Sequence, residues 1–362
     1  MANKLQEARR IINEVDSKMA ELFVRRMRAA ELVYEHKKEY GLPILDQARE
    51  DAVIETNSAL VEDEVLRGYY VDYLKHLMSL SRAYQYRMQN GLKVAYSGVE
   101  GAFAHIAAGK IFPEADRVSY GDFKATYNSV VKGECDAAVL PIENSYAGEV
   151  GQTLDLIFSG TLHINGIYEL VIHQNLLGLE DATVDDIKKV TSHPQALSQC
   201  HDYIEMRGFE TIESNNTALA AKMVAEGKDR SLGAIASAET AELYGLKVIE
   251  ANINKSVENT TRFAVLSRVN ANVASMTSTV LMLTVKHEAG SLAKAIGIIG
   301  KYGYNMTALR SRPLKAHSWQ YYFYIEIDDA VNTENGRNMI EELSEVCDKL
   351  KVAGTFAPRK EI

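Results

Sequence analysis

The stretch Glu258–Leu266 places Thr260, Thr261 and Arg262 directly before an apolar run. The β-branched and aromatic residues of that run predict a buried strand. Polar groups at one end of such a strand commonly meet a ligand in α/β domains. Threonine also favours strands for its own sake, so the two hydroxyls could simply begin one. The stretch is therefore a candidate site that other segments must support.

Three further polar clusters follow predicted strands, at Pro141–Ser145, Ser192–Gln195 and Ser214–Thr217. Each alone could be a helix cap or a turn, because its residue types are standard there. Since four clusters flank the strands of one chain, we expect them to meet in a cleft between two lobes. His193 could act there as a general acid, or it could only brace the turn beside Pro194.

The elements around these clusters predict an α/β fold over residues 91–270. A short strand near residue 93, a loop with Gly98 and Gly101, and a helix over residues 102–111 would suit an anion at the helix N-terminus. This loop matches no nucleotide-binding motif. Further strands are predicted near residues 117–120, 136–140, 166–173, 188–192, 209–213, 232–236 and 263–268.

The N-terminal segment predicts a long helix, because residues 4–40 contain neither proline nor glycine. Such a helix would be roughly 55 Å long at about 1.5 Å per residue. One row of its heptad-like pattern holds Leu5, Ile12, Met19, Arg26 and Val33. So long a helix needs an apolar partner, either later helices of the same chain or a second subunit.

Arg26 is the one charge in that row, so it needs a glutamate partner or a bound anion. Lys37 lies close to three turns further on and projects from nearly the same side. Arg9 lies almost a quarter-turn off that face, so it could not easily serve the same pocket within one helix, whereas Arg9 of a partner chain could. A further helix is predicted after Gly41–Pro43 and a third over residues 60–88, where Ser81 and Gln85 would form a polar patch.

Eight of these residues match, in order and spacing, the active-site set of the all-helical chorismate mutases: Arg9, Arg26, Lys37, Asp46, Arg49, Glu50, Ser81 and Gln85. The resemblance covers residues 4–88. It implies an all-α domain over residues 1–90 and an intertwined dimer in which Arg9 comes from the partner chain. Rearrangement of chorismate to prephenate needs a clamped substrate and donors at the breaking ether oxygen. By resemblance, Arg9, Arg26 and Ser81 hold carboxylates, Lys37 and Gln85 meet the ether oxygen, Glu50 takes the ring hydroxyl, and Arg49 and Asp46 brace the site.

The clusters Pro141–Ser145, Ser192–Gln195 and Thr261–Phe263 resemble the motifs of the prephenate dehydratases, and residues 93–268 cover that domain. The resemblance implies two α/β lobes like those of type-2 periplasmic binding proteins, with the site in the cleft between them. Thr261 would assist the departing hydroxyl of prephenate. The residues that would shape and charge the pocket are Glu143, Asn144, Ser192, Gln199 and Arg262.

After a polar linker at residues 270–276, the pattern predicts a ferredoxin-like βαββαβ segment over residues 277–358. That order supports many functions, simple dimerisation among them. The segment resembles the ACT domains that follow prephenate dehydratases, on the motifs Gly290-Ser291-Leu292 and Ser311-Arg312-Pro313. The resemblance implies that these six residues bind L-phenylalanine at an interface between two ACT domains. Arg310 departs from the motif, which carries glutamate there.

Composition limits the number of domains, the classes of partner and the cellular location that we expect. With 362 residues we expect two or three domains, and the net charge of −9 argues against a nucleic-acid partner. No apolar run approaches the length of a membrane span, and the N-terminus has no signal-peptide core. Three scattered cysteines, Cys135, Cys200 and Cys347, favour the cytoplasm and argue against a zinc site. No metal or organic cofactor is expected, since neither reaction needs one.

The whole pattern predicts a bifunctional enzyme with chorismate and prephenate as substrates, L-phenylalanine as effector, and a homodimer or a dimer of dimers as its assembly. A non-catalytic sensor of aromatic metabolites is the first alternative. The second is a dehydratase whose N-terminal helices serve only dimerisation. A scaffold has no need of Arg26, Lys37 and Glu50, because apolar residues would fill its seam at lower cost.

Overall fold

The computed structural model describes residues 4–254, 259–270, 277–314, 320–358 and 360–362. Glu258 and most of the predicted linker, residues 271–276, lie outside the described residues. The chain divides into two compact units, one ending at Leu92 and one beginning at Lys93. Within the described residues, no helix combines the length and the apolar character that crossing a membrane requires.

The first unit consists of three helices, α1 (Lys4–Glu39), α2 (Gln47–Ser58) and α3 (Glu64–Asn90). The long helix predicted for residues 4–40 is confirmed, and the turn after it holds Gly41 at a positive φ of 65°. The Asp46 carboxylate caps α2 by accepting a hydrogen bond from the Arg49 amide. The third helix begins later than predicted, because Asp63 caps its first amides.

The apolar stripe of α1 is largely exposed along its first half. Within this helix, whose residues are all described, only Ala30 and Tyr34 are buried. The side chains that face solvent at 42–60% exposure include Ile12, Val15, Met19 and Leu22. The stripe therefore still needs the apolar partner that its heptad pattern requires.

The second unit begins with two α/β lobes. The first lobe contains β1 (Lys93–Ser97), α4 (Phe103–Ile111), β2 (Asp116–Tyr120), α5 (Phe123–Lys132), β3 (Ala137–Asn144), β4 (Gly148–Glu149), α6 (Gly151–Ser159) and β5 (His163–Val171). The second contains β6 (Asn175–Gly178), β7 (Lys189–Ser192), α7 (Pro194–Gln199), α8 (His201–Arg207), β8 (Glu210–Glu213), α9 (Thr217–Gly227), β9 (Leu232–Ala236), α10 (Ala238–Tyr244) and β10 (Lys247–Glu250). The chain then returns to the first lobe as β11 (Thr260–Ser267).

The strand identified first from the sequence, β11, lies inside the first sheet. It pairs antiparallel with β3 on one side and with β5 on the other. All the strands predicted between residues 91 and 268 are present. The prediction missed β4, β6 and β10, which contain 2, 4 and 4 residues. The second lobe has its own sheet, in the order β10-β6-β9-β7-β8.

The C-terminal segment folds in the predicted order of strands and helices. It contains β12 (Ser278–Val285), α11 (Ser291–Lys301), β13 (Met306–Pro313), β14 (Tyr321–Ile327), α12 (Glu334–Val346) and β15 (Cys347–Phe356). These strands form an antiparallel sheet in the order β13-β14-β12-β15. A last strand, β16 (Lys360–Glu361), pairs with β5, so the first sheet runs β16-β5-β11-β3-β1-β2 with β4 beside β3.

The C-terminal sheet is buried on both faces. Leu281 and Ile325 pack on the side of α11 and α12. Their neighbours Met282 and Tyr324 join a core that also contains Leu266 of β11, because successive side chains of a strand point to opposite faces. The C-terminal sheet and the first lobe thus share one hydrophobic core.

Candidate active sites

A cavity of about 420 Å³ lies between the three helices of the first unit. Seven of the eight residues matched to the chorismate mutases line it: Arg26, Lys37, Asp46, Arg49, Glu50, Ser81 and Gln85. Residues from three separate helices and the loop before α2 therefore converge on one space. The cavity can enclose a small molecule, and its lining carries several charged and polar side chains.

Two cations enter this cavity from α1. The Arg26 guanidinium donates hydrogen bonds to the Ser81 hydroxyl and to the Leu77 carbonyl oxygen, the latter at 3.5 Å. The Lys37 ammonium donates to the Ile44 carbonyl oxygen. Among the residues that the structure describes, neither cation pairs with a carboxylate. The glutamate partner considered for Arg26 is thus not seen, and both charges remain available to an anionic ligand.

The cavity also holds groups that can recognise a neutral polar atom. Glu50 forms an ion pair with Arg82, which sequence reasoning missed although it lines the same cavity beside Ser81. The Gln85 side chain is 6% exposed, and its Oε1 atom has no hydrogen-bond partner among the described residues. A buried amide without a partner is costly, so Gln85 is suited to meet a ligand.

Arg9 does not line this cavity. It is exposed on α1, about 25 Å along the helix axis from Arg26 at about 1.5 Å per residue. Within one chain the two guanidinium groups cannot contact one ligand of small size. The contribution of Arg9 from a second chain therefore stays a prediction.

A second cavity, of about 290 Å³, lies between the two lobes of the second unit. Of the residues predicted for the dehydratase site, it is lined by Asn144, Gln199 and Thr261. His193 and Gln195, from the same cluster as Ser192, line it as well. The two sheets approach this cavity from opposite sides, which matches the cleft expected from the polar clusters.

A chain of amide side chains leads to the Thr261 hydroxyl. Asn144 donates from Nδ2 to Thr261 Oγ1 at 2.9 Å and to Asn259 Oδ1 at 2.9 Å. Asn259 in turn donates to Gln199 Oε1 at 2.9 Å. Because the Thr261 oxygen already accepts a hydrogen bond, its own proton can point towards a ligand. Thr261 can therefore donate to an oxygen atom in the cavity.

The amide chain ends at Gln174, which sequence reasoning did not identify. Its Nε2 atom lies 3.3 Å from Gln199 Oε1, and the residue is 2% exposed. Gln174 lines the cavity, and its buried Oε1 atom has no hydrogen-bond partner among the described residues. The available signal was its place in the polar run His173–Asn175, which is separated from the end of β5 by one residue.

The electrostatic character of this cavity comes from helix ends. Five helices begin at its lining, as shown by lining residues at the starts of α4, α5, α6, α7 and α9. The first amides of α4 and α6 lack a side-chain cap, since Ala102 and Val150 stand at the cap positions. Unpaired amides and the helix dipole favour an anion at such ends. The described lining contains neither lysine nor arginine.

The sequence predicted that Arg262 and Glu143 shape and charge the pocket. The structure instead places both residues outside the cavity lining. Strand alternation explains this result. Thr261 and Asn144 face the cavity, so the neighbouring Arg262, which follows Thr261, and Glu143, which precedes Asn144, face the other side of the sheet. There the Arg262 guanidinium pairs with Glu143 at 2.8 Å. Burial raises the pKa of Glu143, but its hydrogen bonds to arginine outweigh that effect, so the pKa is lowered.

Ser192 also differs from its expected place. It is fully buried, and its hydroxyl donates to the Ile235 carbonyl oxygen at 2.6 Å, which ties β7 to β9. His193 caps α7, with Nδ1 accepting from the Gln195 amide at 3.2 Å. This bond supports its bracing role, while its place in the lining leaves the general-acid interpretation open.

The six residues predicted to bind an effector are only partly brought together. Leu292 lines a cavity of about 290 Å³ beside β12 and β14. Gly290 begins α11 with a positive φ of 84°, and Ser291 follows it. Ser311, Arg312 and Pro313 lie on β13, the edge strand of the C-terminal sheet. Arg312 is directed to α6, where its Nε atom donates to Asp155 at 3.2 Å.

Each of the first two cavities lies within residues that match the model of a known protein family. The family model described as chorismate mutase type II matches residues 8–86, and the family model described as prephenate dehydratase matches residues 94–271. A bifunctional chorismate mutase/prephenate dehydratase of Aquifex aeolicus is 30% identical over 357 residues, covering 98% of each chain. The two families occur in the same order that the sequence motifs predict.

Solved structures agree with this assignment. The prephenate dehydratase of Staphylococcus aureus is 26% identical with a TM-score of 0.66, and the match covers 73% of this chain and 100% of that one. A structure described as prephenate dehydratase in complex with L-Phe, from Arthrobacter aurescens, is 24% identical with a TM-score of 0.68 and covers 74% and 90%. The latter likeness concerns the fold. This chain belongs to the bifunctional chorismate mutase/prephenate dehydratase family, which converts chorismate to prephenate and prephenate to phenylpyruvate in L-phenylalanine biosynthesis.

Proposed function

We propose that the cavity of the first unit is the chorismate site. The observation that carries this proposal is the convergence of seven motif residues on one space. Arg26 and Ser81 hold a substrate carboxylate, Lys37 and Gln85 meet the ether oxygen, and Glu50 takes the ring hydroxyl. Asp46 and Arg49 brace the start of α2. A donor aimed at charge that develops in the transition state is worth about 10²–10³ in rate.

The second chain of a dimer completes this site in our proposal. The exposed stripe of α1 is the surface that the partner covers, and the partner contributes its own Arg9. A homodimer, or a dimer of such dimers, is the assembly that follows. The cytoplasmic location favoured by the scattered cysteines stays a prediction.

The cleft of the second unit is proposed as the prephenate site. The uncapped starts of α4 and α6 attract the substrate carboxylates, and Thr261 donates to the hydroxyl that leaves the ring. As the carboxylate at the quaternary carbon departs as carbon dioxide, its bonding electrons enter the ring and expel that hydroxyl, which takes up a proton and leaves as water. Thr261 positions this hydroxyl or relays the proton to it.

The C-terminal segment is proposed as an ACT domain that binds L-phenylalanine. This rests on its two motifs and on the cavity beside Leu292. The edge strand β13, which carries the second motif, is free within the described chain to pair with a second copy. Binding at such an interface would couple the effector to the dehydratase.

One experiment tests both catalytic proposals. The purified full-length chain is given chorismate alone, and chorismate, prephenate and phenylpyruvate are followed with time. Phenylpyruvate is the expected product. Accumulation of prephenate would overturn the assignment of the cleft, and unchanged chorismate would overturn that of the helical cavity.

A further inference from the structure

The residues behind the prephenate cleft form a buried cluster of charges that joins two sheets. Arg262 and Glu143 face away from the cleft on β11 and β3, directly after and before Thr261 and Asn144 in the chain. Opposite them, the C-terminal sheet supplies Glu326 from β14 and Arg310 from β13. We call Glu143, Arg262, Arg310 and Glu326 the back-face cluster.

The contacts within the back-face cluster are close. Arg262 Nη1 lies 2.8 Å from Glu143, and its Nη2 lies 2.9 Å from Glu326. Arg310 Nη2 lies 2.5 Å from the other oxygen of Glu143 and its Nη1 lies 3.8 Å from Glu326. Each arginine therefore contacts both carboxylates. Two further carboxylates lie beside the arginines, because Glu169 is 3.6 Å from Arg262 Nε and Glu149 is 3.4 Å from Arg310 Nε.

Two members of the cluster are buried. Arg262 is 8% exposed and Glu326 is 4% exposed. The fully buried Tyr324 donates its hydroxyl to Glu326 at 2.6 Å, and its ring lies 5.4 Å from the Arg310 guanidinium carbon. Removing one partner of a buried ion pair leaves the other charge uncompensated, and this destabilises the folded chain. The C-terminal sheet is thus held in register with β3 and β11.

The cluster lies one residue from the reacting groups. In the pairing of β11 with β3, Thr261 stands opposite Asn144 and Arg262 stands opposite Glu143. The register shifts directly after Arg262, a bulge of the kind that sets the direction of nearby side chains. A displacement of Arg262 is therefore transmitted through one peptide unit to Thr261. A misplacement of about 1 Å can cost about 10²-fold in rate.

We propose that Arg310 and Glu326 are positioning residues for the dehydration: by holding Arg262 and Glu143 they fix the Asn144–Thr261 pair in the cleft. This inference rests on the proposed role of Thr261. The C-terminal sheet then contributes to dehydratase activity. Arg310, at the position where the related motif carries glutamate, directly links this sheet to the first lobe.

The test compares variants of the full-length chain. Arg310→Met removes the charge at the more exposed side of the cluster, Arg310→Lys retains it, and Glu326→Gln neutralises the opposite member. We expect Arg310→Met and Glu326→Gln to lower the dehydratase kcat about tenfold or more with little change in KM, and Arg310→Lys to retain most of the activity. Mutase activity of each preparation reports whether the chain is intact. Lys301→Met, which removes an exposed ion pair with Glu342 on the helical side of the same sheet, is the matched control.

A double-variant comparison separates positioning from general destabilisation. If Arg310 acts through Thr261, Arg310→Met should have little further effect in a Thr261→Ala background. Additive losses, or a dehydratase kcat within twofold of the parent for both Arg310→Met and Glu326→Gln, would overturn the inference. Full dehydratase activity of Thr261→Ala alone would instead overturn the proposed role of Thr261.

Discussion

Thr261 and Arg262 are consecutive in β11, so their side chains lie on opposite faces of one sheet. The Thr261 hydroxyl accepts a hydrogen bond from Asn144 at the cleft, whereas the Arg262 guanidinium lies behind the sheet between Glu143 and Glu326. One short motif thus contains a group that can contact the substrate and a group that joins the strand to the C-terminal sheet. The two should respond differently to substitution.

Replacing Thr261 by alanine should lower dehydratase turnover about 10²-fold or more, because it removes a preorganised donor to the leaving hydroxyl. Thr261→Ser keeps the hydroxyl and should retain much of the activity. Phenylpyruvate formation from prephenate is the measurement, and chorismate consumption should be unchanged in both variants. Undiminished turnover of Thr261→Ala would remove this side chain from the mechanism.

Replacing Arg26 by methionine should lower mutase activity about 10²–10³-fold, because the cavity loses a charged donor at the bound carboxylate. The matched control is Arg28→Met on the same helix, since Arg28 is exposed and pairs with its helical neighbour Glu31. Chorismate consumption is measured for both, and dehydratase activity is assayed with added prephenate. Equal mutase rates for the two variants would contradict the proposed site.

Mixing two inactive variants tests whether Arg9 acts across the dimer. Arg9→Ala and Arg26→Met chains, unfolded together and refolded at equal amounts, should regain about a quarter of the parental mutase activity. The reason is that half of the dimers are mixed, and each mixed two-fold dimer has one of its two sites intact. A mixture no more active than its separate components would mean that Arg9 acts within its own chain or not at all.

Titration calorimetry with L-phenylalanine tests the C-terminal segment. We expect saturable binding by the full-length chain and its loss in Leu292→Asp, because a carboxylate in the cavity beside Leu292 would repel the ligand carboxylate and hydrate the apolar wall. D-Phenylalanine serves as the ligand control. Absence of binding by the parent chain at millimolar ligand would leave this segment a module for assembly.

Lys351 should make the stability of the second unit depend on pH in a defined direction. Burial, with a smaller effect of the Lys349 ammonium, lowers the pKa of Lys351 from 10.5 to about 8. Between these values the folded chain has released a proton that the unfolded chain still holds, so stability should rise with pH from about 8 towards 10.5. The urea midpoint of Lys351→Met should show a flatter rise than that of the parent. The exposed Lys222→Met should keep the parental slope, and the same slope in Lys351→Met would contradict this assignment.

The helical site was largely predictable because its residues lie on regular helices. A Gly- and Pro-free segment with heptad spacing fixes the relative direction of Arg26 and Lys37. Arg82 was missed because the spacing argument covered only Arg26 and Lys37, and the matched motif does not include the position after Ser81. Its role became visible only through the ion pair with Glu50.

The cleft proposed as the dehydratase site was predictable in its location but not in the orientation of each side chain. Strand alternation requires Thr261 and Arg262 to face opposite sides, but the sequence does not say which side holds the cleft. Ser192 was predicted to shape the pocket from a strand end, yet β7 lies between β8 and β9, and the Ser192 hydroxyl is buried against β9. The convergence of helix starts depends on tertiary packing, which no local pattern encodes.

The return of the chain into the first sheet has a consequence for biosynthesis. Because β11 fills the space between β3 and β5, those two strands keep unpaired edges until residues 260–267 have left the ribosome. By then the whole second lobe has been made, and the shared core still awaits the C-terminal sheet. Nascent chains at this stage expose strand edges and apolar surface, the features that chaperones recognise and that lead to aggregation. Productive folding of the second unit therefore depends on the late synthesis of β11, the strand that carries Thr261.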